Sequence, residues 1–325
     1  MAWEIDAKDR AIIFYLDEDA RQPISQLSKK VKLNREVVRY RIDRMIEQGV
    51  IQKFLTYVPI THLGYLLVSF FMNFQDTSIK DEEEIIKYVN GKPGAIWCAS
   101  TNGRFDFGFT ISAKNMNDLA AFVAEFRDKY RHLITDFQMG NVVRDWQFRR
   151  AYLLDNDEDD EGPNLGPLLF YQKELDRMDR KILAALGEDG RMRAVEIAHR
   201  VGISADSVAD RISKLKKEKL ISKTSLLLNN SAIKRKAFKS FITFHNVKKV
   251  EEKFLNYCHE NTNIIGVKRM LGPWEYEMDA ELESEDDVRE LHAKLKERFA
   301  ESIRSASYVS IYRVHKFDMG EFLLD

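Results

Sequence analysis

An α+β fold, built twice in tandem, is what this sequence predicts, and three observations predict it. The phrase IDAKDRAIIFYLDEDAR (residues 5–21) returns as LDRMDRKILAALGEDGR (residues 175–191). Each copy opens with apolar residues at helical spacing, then changes to β-branched and aromatic runs interrupted by further helices. Between the copies lies an acidic stretch containing Gly and Pro, DNDEDDEGPNLGP (155–167).

The repeat keeps an offset of 170 through Asp6/Asp176, Asp9/Asp179, Arg10/Arg180, Val38/Val208, Arg41/Arg211 and Ile51/Ile221. It slips by one where GRFDFGF (103–109) lies over GPWEYEM (272–278). A period this long is duplication of a whole unit, since solenoid repeats run to about 20–50 residues. The 325 residues suit about two to four domains. With 44% apolar and 32% charged residues, the chain can bury cores and stay soluble. No apolar run approaches the roughly 20 residues of a membrane span, and the start MAWEIDAKDR lacks the apolar core of a signal peptide. A cytoplasmic protein is expected. Cys98 and Cys258 fall at non-equivalent places in the repeats, and the seven histidines have no ligand-like spacing. No disulfide, metal site or cofactor is therefore expected. The net charge of −1 gives no general attraction to polyanions, so charge has to be weighed segment by segment.

In the first unit, Ile5, Ile12, Ile13 and Leu16 mark a helix, and Ile24, Leu27 and Val31 a second, short one. Asn34 then caps NREVVRYRIDRMIEQG, with Val38, Ile42 and Met45 on one face and Gly49 at its left-handed end. VIQKFLTYV follows as a strand. Three helices and a strand describe a winged helix-turn-helix. The second unit repeats them: Leu175, Ile182, Leu183 and Leu186, then VEIAHRV, then SADSVADRISKLKKEK capped by Ser204, then ISKTSLLL. The remainder of the first unit gives YLLVSFFMNF, DEEEIIKYV, AIWCAS, FDFGFTIS, NMNDLAAFVAEFRDKY and a last strand-rich region towards Tyr152. That of the second gives KSFITFH, VEEKFLNYC, IIGVKRM, WEYEMDAEL, DDVRELHAKLKERF and SASYVSIYRV. This is βαββαβ, the order of a ferredoxin-like sandwich. The expected divisions are helix-turn-helix 1–60, ferredoxin-like domain 61–154, exposed linker 155–167, helix-turn-helix 168–230 and ferredoxin-like domain 231–325.

The order of these parts resembles the leucine-responsive/asparagine-responsive (Lrp/AsnC) family of transcription regulators. IDAKDRAII and LDRMDRKIL carry the likeness at the start of each unit. VVRYRIDRMIEQGVI and SVADRISKLKKEKLI carry it across the recognition helices, and THLGY, NGRFD and GPWE in the domains that follow. The resemblance implies double-stranded DNA as partner of the first domain. It implies amino-acid sensing and self-association through the second, the RAM (ACT-like) domain. A helix-turn-helix reads DNA best in pairs, so two units in one chain could pair internally or with another chain. Strands such as YLLVSFFMNF and KSFITFHN carry apolar residues at both alternations, which predicts sheets buried on both faces and at least a homodimer.

For DNA contact the candidates are Lys29, Lys32, Asn34, Arg35, Arg39, Tyr40 and Arg44 in the first unit. In the second they are Ser204, Ser207, Arg211 and Lys214. Arginine serves phosphates or grips guanine in two bonds. The halves are expected to read DNA unequally, because Arg35, Arg39 and Tyr40 are replaced at the same offset by Ala205, Ala209 and Asp210. For an effector the candidates are Thr101, Asn102, Gly103, Arg104 and Asp106, with Gly272 and Glu275 in the second unit. Free amides at the first turn would hold a carboxylate and Asp106 an ammonium group. Pro273 and Trp274 make the second turn the poorer site. Two alternatives share the fold. Siroheme decarboxylases resemble such regulators but use a His-Asn-Tyr stretch where this chain has Thr101-Asn102-Gly103-Arg104 and Met270-Leu271-Gly272-Pro273. The other alternative is an architectural protein that coats DNA. Neither displaces the expectation of a regulator that is not an enzyme.

Overall fold

The computed structural model describes residues 4–154 and 173–324, and the expected linker lies outside them. In each unit three helices come first: α1 (Ala7–Glu18), α2 (Ile24–Val31) and α3 (Arg35–Glu47), and α6 (Arg177–Glu188), α7 (Ala194–Val201) and α8 (Ala205–Lys217). Their ends follow local chemistry. Asp6 and Asp176 cap α1 and α6 by accepting from the amides of Asp9 and Asp179. Asn34 accepts from Val37 N–H at 2.8 Å and Ser204 from Ser207 N–H at 3.1 Å. Beyond α3, Gly49 takes φ +67°, a conformation open to glycine at little cost.

The wing strands β1 (Ile51–Tyr57) and β6 (Lys223–Leu228) pair with each other, antiparallel, with Phe54 opposite Leu226. Each therefore completes the other unit's core. Leu226, Leu228 and Ile233 pack among the helices of the first unit, and Val58, Ile60 and Leu63 among those of the second. The exchange is nearly two-fold: Ala20 N–H donates to Thr224 O, and Gly190 N–H to Phe54 O.

The remaining strands are β2 (Leu66–Phe74), β3 (Ala95–Gly103), β4 (Phe107–Ala113) and β5 (Ile134–Gln147), and β7 (Lys236–Phe244), β8 (Ile264–Leu271), β9 (Tyr276–Leu282) and β10 (Ile303–Phe317). Within each unit their order, β3-β4-β2-β5 and β8-β9-β7-β10, is that of the ferredoxin-like sheet. Helices α4 (Ile79–Asn90) and α5 (Met116–Tyr130) cover the outer face of the first sheet. Helices α9 (Val247–Glu260) and α10 (Glu285–Arg298) cover that of the second. β5 then pairs with β8 and β10 with β3, closing one eight-stranded barrel. Side chains alternate across it: Phe70 points to the helices of its unit, Phe71 into the barrel.

This closure corrects the expected basis of a homodimer. The inner faces that a second copy would have covered are covered by the other half of the same chain, and no sheet edge is left open in the barrel. Among the described residues, no helix is long and apolar enough to cross a membrane.

Candidate nucleic-acid interface and ligand pocket

The recognition helices stand on the outside of the paired wings. On the first, Arg35, Arg39 and Tyr40 are exposed, Tyr40 by 61%, and Lys29 and Lys32 are exposed on the approach to it. Asn34 spends its side-chain oxygen on the cap, and Arg44 is half-buried with a partner of its own. On the second helix the exposed N-terminal face carries Asp206, Ser207, Ala209 and Asp210, and exposed cations begin only at Lys214. Ser204 and Ser207 bond each other through their hydroxyls at 2.8 Å.

Arg211 and its counterpart Arg41 face inward. Arg41 reaches Asp6 and the buried Asp9, both at 2.8 Å. Arg211 reaches Asp176 at 2.7 Å and Asp179 at 2.6 Å. Each ties its recognition helix to the start of its unit's first helix. For Arg211, expected at DNA, the structure shows this fold contact, because the two carboxylates lie within reach of a single guanidinium.

The sensor candidates divide between two cavities. Thr101, Asn102 and Asp106 line one of about 630 Å³ with Thr77, Glu82 and Tyr312. Arg104 turns away into another, of about 490 Å³, with Arg289, Lys296 and Tyr308 of the second unit. Its guanidinium donates to Ser307 Oγ at 2.8 Å and lies 5.0 Å from the Phe105 ring; burial lowers its pKa. Gly103 has φ +120°, and a β-carbon there would come within 3.0 Å of Tyr308 O. Only glycine fits that seam comfortably.

The expected free amides are corrected. Thr101 N–H donates to Asp106 O, Asp106 N–H to Met72 O and Arg104 N–H to Tyr308 O. The turn sits between neighbouring strands that take up these donors. Asp106 accepts from Phe74 N–H at 2.9 Å, and Glu275 accepts from Phe244 N–H at the same distance. Both acids thus order their turns, with Asp106 also at a cavity wall. In the second turn Trp274 is 1% exposed and fills the barrel interior, while a β-carbon on Gly272 would lie 2.7 Å from Gly140 Cα.

A buried ionic group that no sequence motif marks joins the first helix-turn-helix to the barrel. Arg150 bonds Asp17 of α1 and Glu281 of β9; Lys223 and Ser225 of β6 also reach Asp17, and Tyr152 donates to Glu281. Burial pushes the Asp17 carboxyl up, but Arg150 and Lys223 outweigh it and hold the group below its ordinary range. Among the described residues no group of three or more His, Cys, Asp or Glu side chains is placed to hold a metal ion.

Two winged helix-turn-helix regions on a shared wing, above a barrel of two ferredoxin-like sheets, define a paired helix-turn-helix protein contained in one chain. The AsnC-type helix-turn-helix domain matches residues 175–216, and the winged helix-turn-helix DNA-binding domain residues 5–52. An HTH-type transcriptional regulator of Mycobacterium tuberculosis is 30% identical over 123 residues, covering 82% of that protein and 38% of this chain. An uncharacterized HTH-type transcriptional regulator of Pyrococcus horikoshii is 27% identical over 152 residues, 94% of its length and 46% of this one. The chain belongs to the Lrp/AsnC family of helix-turn-helix regulators. Its fold is also similar from end to end to that of the siroheme decarboxylase NirDL, with a TM-score of 0.60, 14% identity and coverage of 97% of this chain and 96% of the other.

Proposed function

We propose that this chain is a DNA-binding transcriptional regulator whose first recognition helix makes the larger share of the contacts. The observation that carries the reading is the exposed cationic face of Lys29, Lys32, Arg35 and Arg39, against the Asp206, Ala209 and Asp210 face of the second. Such cations neutralise phosphates and release counterions, whereas exposed aspartates repel the backbone. The shared wing holds both helices in one body, so each chain offers two unequal readers. Mobility shift on genomic fragments, followed by footprinting, tests the reading. Protection of defined half-sites supports a regulator, and uniform coverage would point instead to a DNA-coating protein.

The effector we infer is an amino acid or a related small molecule recognised first through its ammonium group. The 630 Å³ cavity offers Asp106 and Glu82 as carboxylates and Thr77, Ser310 and Tyr312 as hydroxyls, with no cation among its lining residues. A second reading, a tetrapyrrole decarboxylase, has the end-to-end fold likeness in its favour. Against it stand the residues Thr101-Asn102-Gly103-Arg104 at the turn. An absorbance spectrum after incubation with an iron tetrapyrrole separates the two: a regulator leaves the spectrum of the free compound unchanged.

A further inference from the structure

The two sheets that close the barrel have unlike inner faces. In the second, β7 presents Lys239 and Phe241, and β9 presents Glu277 and Asp279. The corresponding residues of the first, at offsets of 170 and 169, are Ser69, Phe71, Gly108 and Thr110. Lys239 is 3% exposed and Glu277 1%. Lys239 lies 3.5 Å from Glu277 and also pairs with Asp279, which Lys268 of β8 meets at 3.6 Å. Glu277 accepts from the Trp274 indole at 3.3 Å. The second face therefore carries two cations and, besides Glu281, which Arg150 takes up, two anions that satisfy them in the barrel wall.

The first face is shaped to receive it. Gly108 makes room for the Phe71 ring, which a β-carbon there would approach to 2.5 Å. Trp97 stands where the second unit has Gly266, and the Lys239 ammonium sits 5.5 Å from the Trp97 ring centroid. Around this pair the aromatic residues interleave, with Phe71 and Phe241 4.7 Å apart and Phe105 and Phe241 5.3 Å apart. Asp145 of β5 adds one acid from the first unit, beside Lys268, and burial pushes its carboxyl up.

We propose that the inner face of the second sheet is a specificity surface, which accepts a first sheet, from its own chain or from another copy, and rejects a second sheet. Pairing two second sheets would bring two sets of Lys239, Lys268, Glu277 and Asp279 into one interior. That doubles the charge to be desolvated and puts Gly266 where Trp97 now meets Lys239. A two-fold dimer must match each face to itself. Duplication frees the faces to diverge, and here they have diverged into a matching pair.

The test uses the full chain with a protease site placed between residues 155 and 167 and cut after assembly. The halves differ in mass, so native mass spectrometry counts like and unlike pairs after urea unfolding and refolding. Unlike pairs are expected in roughly ten-fold excess or more. Combining Lys239→Met, Lys268→Met, Glu277→Gln and Asp279→Asn should move the products towards random pairing. Parent halves that return at random overturn the proposal, as does a quadruple variant that refolds with the parent's selectivity. A second measurement covers a variant that does not fold: two mass-labelled parent chains, uncut, are mixed in partial denaturant to exchange halves and then cut. A similar excess of unlike pairs is expected, and pairs of second sheets in comparable number overturn the proposal.

Discussion

Gly187 and Gly320 meet backbone to backbone. A β-carbon on Gly187 would lie 2.6 Å from Gly320 Cα, and one on Gly320 would lie 2.6 Å from Leu183 O. This contact seats α6 of the second helix-turn-helix on the chain's closing 3-10 turn, Glu321–Leu324. At the opposite junction the place of Gly187 is taken by Asp17, which meets Arg150. One reading head is thus joined by close apolar packing and the other by buried charge.

Gly187→Ala and Gly320→Ala should each destabilise the protein, because the neighbours that must yield are backbone atoms. Overpacking of this kind costs about 1–3 kcal/mol. A urea titration reads it as a lower midpoint with an unchanged slope. A midpoint equal to the parent's would show that the junction gives way freely.

The charged junction should respond to acid. Asp17 is held below its ordinary value of 3.8, so its contribution is complete above that pH and is lost as pH falls through the lower folded value. The parent should lose stability below about pH 4, and Asp17→Asn should flatten that part of the profile. Arg150→Met leaves Asp17 and Glu281 buried without their shared cation and should cost about 3–5 kcal/mol at neutral pH. Thermal denaturation from about pH 2.5 to pH 7 runs from below the ordinary carboxylate range to above it and checks both variants. An Asp17→Asn profile that still tracks the parent's on the acid side would contradict the role given to this group.

The helices, their caps and the strand order of each unit are legible in the sequence because they depend on residues close in the chain. Asn34, Ser204 and Gly49 act where they stand. Pairing is not local. A strand such as VIQKFLTYV has the same alternation whether its partner lies in its own unit or in the other, so neither the shared wing nor the closed barrel can be read from it. Arg211 shows a further limit. On a recognition helix an arginine suits phosphate, and only folding brings Asp176 and Asp179 beside it. The repeated trio Asp6-Asp9-Arg41 and Asp176-Asp179-Arg211 is nevertheless visible in both units. WEYEMDAEL likewise alternates its acids, and alternation alone does not say that Glu277 faces a barrel interior rather than water.

For the effector, thermal-shift screening of the amino acids and simple amines on the parent, on Asp106→Ala and on Glu275→Ala should find hits that Asp106→Ala abolishes and Glu275→Ala leaves in place. Acting through a difference in affinity between two states, such a ligand should change DNA binding by only about 1–3 kcal/mol. A hit abolished by Glu275→Ala and kept by Asp106→Ala would place sensing in the second half instead.

On the proposed function, two unequal reading heads in one chain bind DNA, the first more strongly. Fluorescence anisotropy on a footprinted genomic fragment, measured over a salt series, tests it most directly. Arg35→Ala with Arg39→Ala should weaken binding more than Lys214→Ala with Lys217→Ala. The first pair should also flatten the salt slope by about one unit for each phosphate it no longer neutralises. Lys216 is left intact in this comparison because it lies 3.5 Å from Asp19 of the first unit. The greater weakening is expected from the first pair; equal weakening from both pairs, or no binding by the parent, would rule out a dominant first head.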